Sequence, residues 1–319
     1  MNRVGIIHNT SALSENPGVS RTRQRSWPTR CAALLAASLS LSGLAASHKE
    51  QNRAEADAFL TNGTILRVSV EITEEDIESL RKTPREYVRA TLREGNTTHS
   101  NVAVHLKGGS GSFRKVDDRP GLTLDFNRFE SGGRFLGLKK LHLNNSAQDP
   151  TRLSEMIGEQ LFREAGVPAA RVAHVLLDLN RRQLGLYVAM ESMDKDFLSR
   201  YFKDPGGNLY GQTRGGDIDT PIERMEGNEP LTHADLKALA AAIAEADPQL
   251  RMERMEKALD MERFLSFMSM EVILGHTDSY TFARHNYRVY QDVDTDRMVF
   301  LPHDLDQLMR RQAWASPPR

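Results

Sequence analysis

Three acidic residues near the carboxyl end of the chain stand where predicted regular elements end. Asp278 follows an apolar helical segment, and Asp304 and Asp306 follow a short apolar strand, with Asn286 between the two sites. Carboxylate and amide oxygens suit a hard cation such as Mg²⁺, which needs only one or two carboxylates when phosphates supply further oxygens. Asp304 and Asp306 would share one face of an extended segment. The pattern is typical either of a metal and phosphate centre or of ordinary helix-end and turn chemistry.

Histidine and cysteine do not extend this pattern to zinc or thiol chemistry. His276, His285 and His303 are close in sequence to the acids but lack the compact spacing of zinc ligands. Cys31 is the single cysteine, and it lies in a segment that is expected to be removed. Thiol catalysis and cysteine-ligated zinc are therefore excluded for the mature chain. A metal-dependent phosphohydrolase would require a denser cluster of His and Asp than this sequence contains.

The composition limits the class of protein. The chain has 319 residues, enough for one large domain or for two lobes that share a cleft. Its hydrophobic content of 39% and charged content of 27% are typical of a globular protein. The formal net charge of −1 gives no basic surplus, so nucleic acid is not an expected partner.

The amino end carries the pattern of a secretory signal. The apolar segment CAALLAASLSLSGLAAS ends in small residues before a polar stretch. Arg21, Arg23, Arg25 and Arg30 lie shortly before it. This arrangement predicts a signal peptide over residues 1–47, with cleavage near residues 45–48. The apolar run is shorter than the ~20 residues of a spanning helix, so the mature protein is expected to be exported without stable membrane insertion.

Hydrophobic periodicity predicts an α+β chain of two lobes, an N-lobe at about 61–190 and a C-lobe at about 191–319. Residues 48–60 are polar and are expected to form a linker or a fraying helix. The N-lobe is rich in strands and holds one prominent helix, SEMIGEQLFREAG, that ends at Gly166. The C-lobe is mostly helical and closes with a hairpin that turns at DVDTD. The predicted strands lie at 65–72, 86–94, 101–108, 122–126 and 140–145, followed by a hairpin at 172–191. The predicted C-lobe helices lie at 194–203, about 232–246 and 261–275.

Several long motifs occur in one order between Val102 and Gln307. They are KGGSGSFR, GGRFLGLKKLHLNNSAQDPTRLSEMIGEQLFREAGVPAARV, GLYVAMESMDKDFLSRYF with GNLYG, and NYRVY followed by FLPHDLDQ. In these motifs the chain resembles the CotH kinase family, whose members are secreted or associated with the spore coat and have an atypical protein kinase-like fold. The resemblance implies the same fold here, with a strand-rich N-lobe, a hinge strand and a helical C-lobe.

The resemblance also implies roles for the acidic residues. Asp278 lies in His-Thr-Asp-Ser-Tyr, where the family has a Trp-Asp-Gly-Tyr-like run, and would be the catalytic aspartate that orients the acceptor hydroxyl. Asp304 and Asp306 lie in Pro-His-Asp-Leu-Asp, where the family has a Pro-Trp-Asp-Leu-Asp-like run, and would hold Mg²⁺. Asn286 would be a further metal ligand.

The sequence departs from its relatives near Asn286. Family members often carry asparagines a few residues earlier, where this chain has Ala283 and His285. A missing amide ligand leaves open the alternative of a protein that has lost catalysis.

On the nucleotide side, the resemblance implies a cation on the phosphates. Relatives often have lysine just before the strand that matches LTLDF, where this chain has Arg119, with Lys115 and Lys107 nearby. Glu155 would pair with that cation, or would act only as a first-turn helix acid. The glycine-rich segment after Lys107 either brings backbone amides to the phosphates or forms a plain turn. Glu191, in the strand that matches the kinase hinge, is indicated by the resemblance alone.

Together these features predict phosphoryl transfer from ATP, with Mg²⁺, to a hydroxyl of a protein substrate. The alternative is a catalytically inactive surface or coat-assembly binding protein of the same fold. RRQAWASPPR directly follows the last motif without a further core element, so the sequence also favours a domain truncated at its carboxyl end.

Overall fold

A computed structural model describes residues 47–211, 215–220, 222–227 and 233–309 of the chain. The chain divides into two compact units, Met1–His48 and Lys49–Arg319. All of the predicted signal peptide except residue 47 lies outside the described residues, as does the carboxyl-terminal RRQAWASPPR. Among the described residues, no helix has the length and apolar character needed to cross a membrane.

The first described element is a helix, α1, at residues 47–61. Its buried residues Ala56, Phe59 and Leu60 follow helical spacing and belong to the core of the barrel described below. Gly137 lies directly beneath α1, because a Cβ at Gly137 would collide with the backbone oxygen of Asn52. Residues 48–60, for which the sequence predicts a linker or a fraying helix, therefore form a packed helix.

Seven strands close into a barrel in the order β1-β2-β3-β4-β5-β7-β6. Closure comes from the parallel pairing of β1 with β6, whereas every other neighbouring pair in the barrel is antiparallel. Alternating apolar residues of the strands fill the interior, as in other small barrels. The strands are β1 (Leu66–Ile72), β2 (Val88–Glu94), β3 (Thr97–Lys107), β4 (Gly121–Asp125), β5 (Lys140–Asn144), β6 (Val172–Leu179) and β7 (Arg182–Glu191).

Two helices interrupt the barrel strands. Helix α2 (Glu74–Lys82) begins at Thr73, whose hydroxyl accepts a hydrogen bond from the amide of Asp76 and caps the helix. Helix α3 (Ser154–Glu164) connects β5 to β6 and buries Phe162 in the core of the second half of the chain. The helix predicted from SEMIGEQLFREAG is thus present, and Gly166 follows it with a φ of 79°.

The second half of the chain combines helices with a four-stranded sheet in the order β11-β10-β8-β9. A cluster of aromatic rings from α7, α8, β10 and β11 forms its core, including Phe267, Tyr280, Tyr287 and Phe300. The elements are α4 (Lys195–Tyr201), β8 (Leu209–Gly211), β9 (Glu223–Glu226), α5 (Ala234–Ile243), α6 (Pro248–Ala258), α7 (Met261–Ile273), α8 (Tyr280–Ala283), β10 (Tyr287–Asp292) and β11 (Arg297–Pro302). The predicted α+β class is confirmed, with a closed barrel as the strand-rich part.

Candidate functional site

A chain of hydrogen bonds joins the end of the barrel to α3. Lys107, the last residue of β3, donates from Nζ to Asn144 Oδ1 at the end of β5. Asn144 in turn donates from Nδ2 to Glu155 Oε1 in the first turn of α3. Strand β4 pairs with both β3 and β5, so these strand ends lie on the same rim of the barrel. Gly121 of β4 leaves room for the lysine, because a Cβ there would lie 3.1 Å from Lys107 Cγ.

Glu155 is fully buried, and its second carboxyl oxygen, Oε2, accepts no hydrogen bond from any described residue. Burial, together with the charges of Asp304 and Asp306, raises the pKa of Glu155 to about 8, although Lys107 opposes the shift. The charges of Asp304, Asp306 and Lys107 therefore all act on Glu155. We call Lys107, Asn144, Glu155, Asp304 and Asp306 the central cluster.

Asp304 and Asp306 reach the central cluster because their segment packs closely on α3. Leu305, between them, is buried, and a Cβ at Gly158 of α3 would lie 2.9 Å from Leu305 Cδ1. Gly158 is one helical turn beyond Glu155, so the missing side chain lets the segment after β11 approach that face of the helix. Asp304 has a φ of 54°, a left-handed conformation that is unusual for a residue with a side chain.

Asp278 lies in the loop after α7, where its carboxylate is held from two directions. Oδ2 accepts hydrogen bonds from Asn286 Nδ2 at 2.9 Å and from Gln307 Nε2 at 3.3 Å, and His285 Nδ1 lies 3.4 Å away. The backbone oxygen of Asn286 also accepts a hydrogen bond from the amide of His303 at 3.1 Å. The loop of Asp278 and the segment 303–307 therefore converge, as the sequence pattern led us to expect.

The loop of Asp278 is positioned by a buried acid that sequence reasoning missed. Glu271 of α7 accepts hydrogen bonds from the amides of Tyr280 at 3.3 Å and Thr281 at 2.8 Å, and from the hydroxyl of Thr281. Burial raises the pKa of Glu271 to about 7, although these donors oppose the shift. An acid inside the apolar run FLSFMSMEVI was the available signal.

The carboxylate and amide oxygens around the central cluster suit a divalent cation. Glu155 has a buried oxygen without a partner among the described residues, and the charges of Asp304 and Asp306 act on its carboxyl group. Within the described ranges, no group of three or more His, Cys, Asp or Glu is arranged to hold a metal ion by itself. Mg²⁺ keeps several waters and takes phosphate oxygens, so Asp304 and Asp306, with Asn286 nearby, would be sufficient.

The structure does not bring Arg119 to the central cluster. Its guanidinium donates to the backbone oxygens of Leu184, at 2.7 Å, and Leu186, and lies over the ring of Tyr187 at 4.7 Å. Arg119 therefore binds the backbone of strand β7. The cation that is linked to Glu155, through Asn144, is Lys107. Lys115 is exposed in the connection between β3 and β4.

Glu191, at the end of β7, is part of a buried ion-pair network. Its carboxylate binds Arg171, with Nη2 at 2.7 Å from Oε2, and Arg200 of α4. Burial raises the pKa of Glu191, but the two guanidinium groups outweigh it and the pKa lies below its ordinary value. Glu191 pairs with Leu141 and Met190 pairs with His142, so the side chain of Glu191 lies on the opposite face of the sheet from His142. The network ties the predicted hinge strand to α4.

The chain is thus a mixed α+β protein with a closed barrel, and its candidate site combines acidic residues with a lysine. Residues 104–315, more than half of the chain, match the family model described as CotH kinase protein. The chain belongs to this CotH family, and the resemblance inferred from its motifs is confirmed.

Several curated proteins are similar to the chain. It is 21% identical over 185 residues to inner spore coat protein H of Bacillus subtilis, a match that covers 54% of this chain and 50% of that protein. It is 24% identical over 190 residues to spore coat protein homolog 1 of Rhizopus delemar, covering 54% and 31%. Invasin CotH3 of the same fungus is 22% identical over 201 residues, covering 57% and 33%. The chain thus spans half or less of the length of these relatives.

Proposed function

We propose that the chain is an exported phosphotransferase with a protein kinase-like fold, which transfers the γ-phosphoryl group of ATP to a hydroxyl of a protein in the presence of Mg²⁺. The observation that carries the proposal is the hydrogen-bonded series Lys107–Asn144–Glu155 beside Asp304 and Asp306. Kinases require a lysine paired with a helix glutamate and a carboxylate for the metal ion. The names of the relatives, a spore coat protein and an invasin, support a place on a coat or a surface.

In this proposal the residues of the central cluster bind the phosphate end of the nucleotide. Lys107 holds phosphate oxygens, and Asn144 and Glu155 fix the direction of its ammonium group. Asp304 and Asp306 hold the metal ion, together with Asn286. Bound Mg²⁺ offsets negative charge on the transferring phosphoryl group.

Asp278 orients the acceptor hydroxyl. Asn286 and Gln307 donate hydrogen bonds to Oδ2 of Asp278, and within the described residues its Oδ1 accepts no hydrogen bond. The side chain is about one third exposed, with a relative accessibility of 36%, so a hydroxyl from another protein can reach Oδ1. Because donors fix the plane of the carboxylate, its free oxygen is presented in one direction.

The second candidate is a surface or coat-assembly binding protein of the same fold that has lost catalysis. It is favoured by His285, which lies beside Asp278 where relatives often carry an asparagine, and by the absence of a ready-made metal group among the described residues. The difference between the candidates lies in nucleotide chemistry, since a pure binding protein has no need of Mg²⁺ or ATP.

The test is transfer of label from γ-labelled ATP to protein. The full chain is incubated with Mg²⁺ and γ-labelled ATP, alone and with exported proteins of its source, and phosphorylated residues are located by mass spectrometry. The proposed function requires Mg²⁺-dependent label on a hydroxyl side chain. A folded sample that transfers no label, and whose melting temperature does not rise with Mg²⁺ and ATP, would instead support the binding protein.

A further inference from the structure

A buried arginine lies next to the proposed metal-binding segment. Arg288 of β10 has only 9% of its surface exposed. Within the described part of the chain, its guanidinium makes one hydrogen bond, from Nη1 to the backbone oxygen of the adjacent Tyr287 at 3.2 Å. Among the described residues, none forms an ion pair with it. A buried charge without a partner costs several kcal/mol, so a guanidinium in this position requires an explanation.

The fold makes room for this guanidinium. Strand β8 pairs with β10, and Gly211 stands opposite Arg288. A Cβ at Gly211 would lie 2.8 Å from Nη1 and 2.9 Å from Cζ of Arg288. A side chain at Gly211 would displace the end of Arg288 or of Met225, so the glycine leaves room for the guanidinium.

Two histidines lie near Arg288 where the barrel meets the second sheet. His303 directly follows Pro302, the last residue of β11, and Pro302 pairs with Tyr287. Nδ1 of His303 has no hydrogen-bond partner among the described residues. His142 of β5 is hydrogen-bonded to Thr123 at 3.1 Å. Both residues are half-buried.

The charges at this junction act on one another. Burial lowers the pKa of His303 well below its ordinary value, and the charges of Arg288 and Lys107 lower it further. Burial lowers the pKa of Arg288 to about 10, while Asp304 and then Glu223 oppose that shift. Among the acids, Asp304 acts most strongly on Arg288 and is also a proposed metal ligand, so it cannot serve Arg288 alone.

We propose that Arg288 binds a phosphate group of the nucleotide from the second sheet, where it pairs with Leu301 two residues before His303, in addition to the contact from Lys107, with His142 and His303 as hydrogen-bond partners. Binding sites for a purine ring are lined mainly by apolar side chains. This junction instead presents the guanidinium of an arginine and two imidazole rings, which suit a phosphate group. The inference rests on the proposed function, because it adds a phosphate contact to the same site.

The test is isothermal titration of the full chain with Mg²⁺ and tripolyphosphate, a probe that lacks the base and ribose. Arg288→Met should weaken binding roughly tenfold to a hundredfold, the range for a lost hydrogen bond to a charged group. Arg288→Lys, which keeps the charge but loses the fork, should bind with intermediate affinity. The matched control is Arg297→Met, since Arg297 is an exposed residue of the neighbouring strand β11 and should leave the affinity unchanged.

Each outcome separates this inference from the proposed function. Equal affinity of Arg288→Met and the wild type overturns the inference, even if the wild type transfers phosphate. Binding that depends on Arg288 in a protein that transfers no phosphate supports the inference and contradicts the proposed function. Failure of the folded wild type to bind tripolyphosphate overturns the inference. If circular dichroism shows Arg288→Met to be unfolded, Arg288→Lys decides, and wild-type affinity in that variant overturns the inference.

Discussion

Gly158 of α3 lies against Leu305 so closely that a Cβ on the glycine would stand 2.9 Å from Leu305 Cδ1 and 2.6 Å from Leu308 Cδ1. This contact places Asp304 and Asp306 beside Glu155, one helical turn away from Gly158. The approach of the two segments therefore depends on the absence of a side chain at one position.

Gly158→Val should destabilise the protein by about 2–3 kcal/mol, because the added side chain overfills this contact. It should also weaken Mg²⁺-ATP binding, since Asp304 and Asp306 move away from Glu155. Denaturant unfolding measures the first effect and calorimetric titration the second. Gln160→Val places the same side chain on the exposed face of the same helix and should change stability by no more than about 0.5 kcal/mol. Similar stability of the two variants would show that the contact is not tight.

Glu271 should make stability depend on pH. Its pKa is raised from 4.5 to about 7 in the folded protein, so the folded state favours the protonated carboxyl group. That contribution is complete below about pH 4.5 and is lost as the pH rises through about 7. The free energy of unfolding should therefore fall between pH 5 and pH 8 by an amount on the order of 2–3 kcal/mol relative to Glu271→Gln, which does not titrate. A difference between the two proteins that stays constant over this range would contradict the assignment.

Lys107 and Arg119 should differ in what they support. Lys107→Met removes the cation of the central cluster and should weaken Mg²⁺-ATP binding roughly tenfold or more. Arg119→Met removes two hydrogen bonds to β7 and the contact with Tyr187, so it should lower stability by about 1–3 kcal/mol and leave nucleotide affinity unchanged. Titration and unfolding of both variants provide the comparison. If Arg119→Met loses nucleotide affinity and Lys107→Met does not, Arg119 would be the cation on the phosphates, as the sequence analysis predicted.

Local patterns were sufficient for most of the fold. Alternation and the helix-end signal predicted the barrel strands and the helix ended by Gly166, because these depend on neighbouring residues. Closure of the barrel could not be read from the sequence, since it depends on the pairing of β1 with the distant β6. The sequence analysis did not predict helix α6. None of its residues is buried, so the helix lacks apolar periodicity. Asp247 and Pro248 nevertheless mark its start.

The candidate site was only partly predictable for the same reason. Motif positions indicated Asp278, Asp304 and Asp306, and the loops that hold these residues converge in the structure. The choice of Lys107 over Arg119 depends on strand ends that meet across β4, which sequence spacing does not reveal. Asn144 gave no signal as a link to Glu155, because a strand-end asparagine is common at turns.

The most direct test of phosphoryl transfer combines two aspartate variants in one measurement, the label transferred per mole of bound Mg²⁺-ATP. Asp278→Asn keeps the size of the side chain but removes the charge that orients the acceptor, so it should bind Mg²⁺-ATP like the wild type and transfer no label. Asp306→Asn removes a proposed metal ligand, so it should bind Mg²⁺-ATP roughly tenfold more weakly or worse and also transfer little label. Normal transfer by both variants would contradict phosphoryl transfer at this site and would leave both acids as turn and helix-end residues.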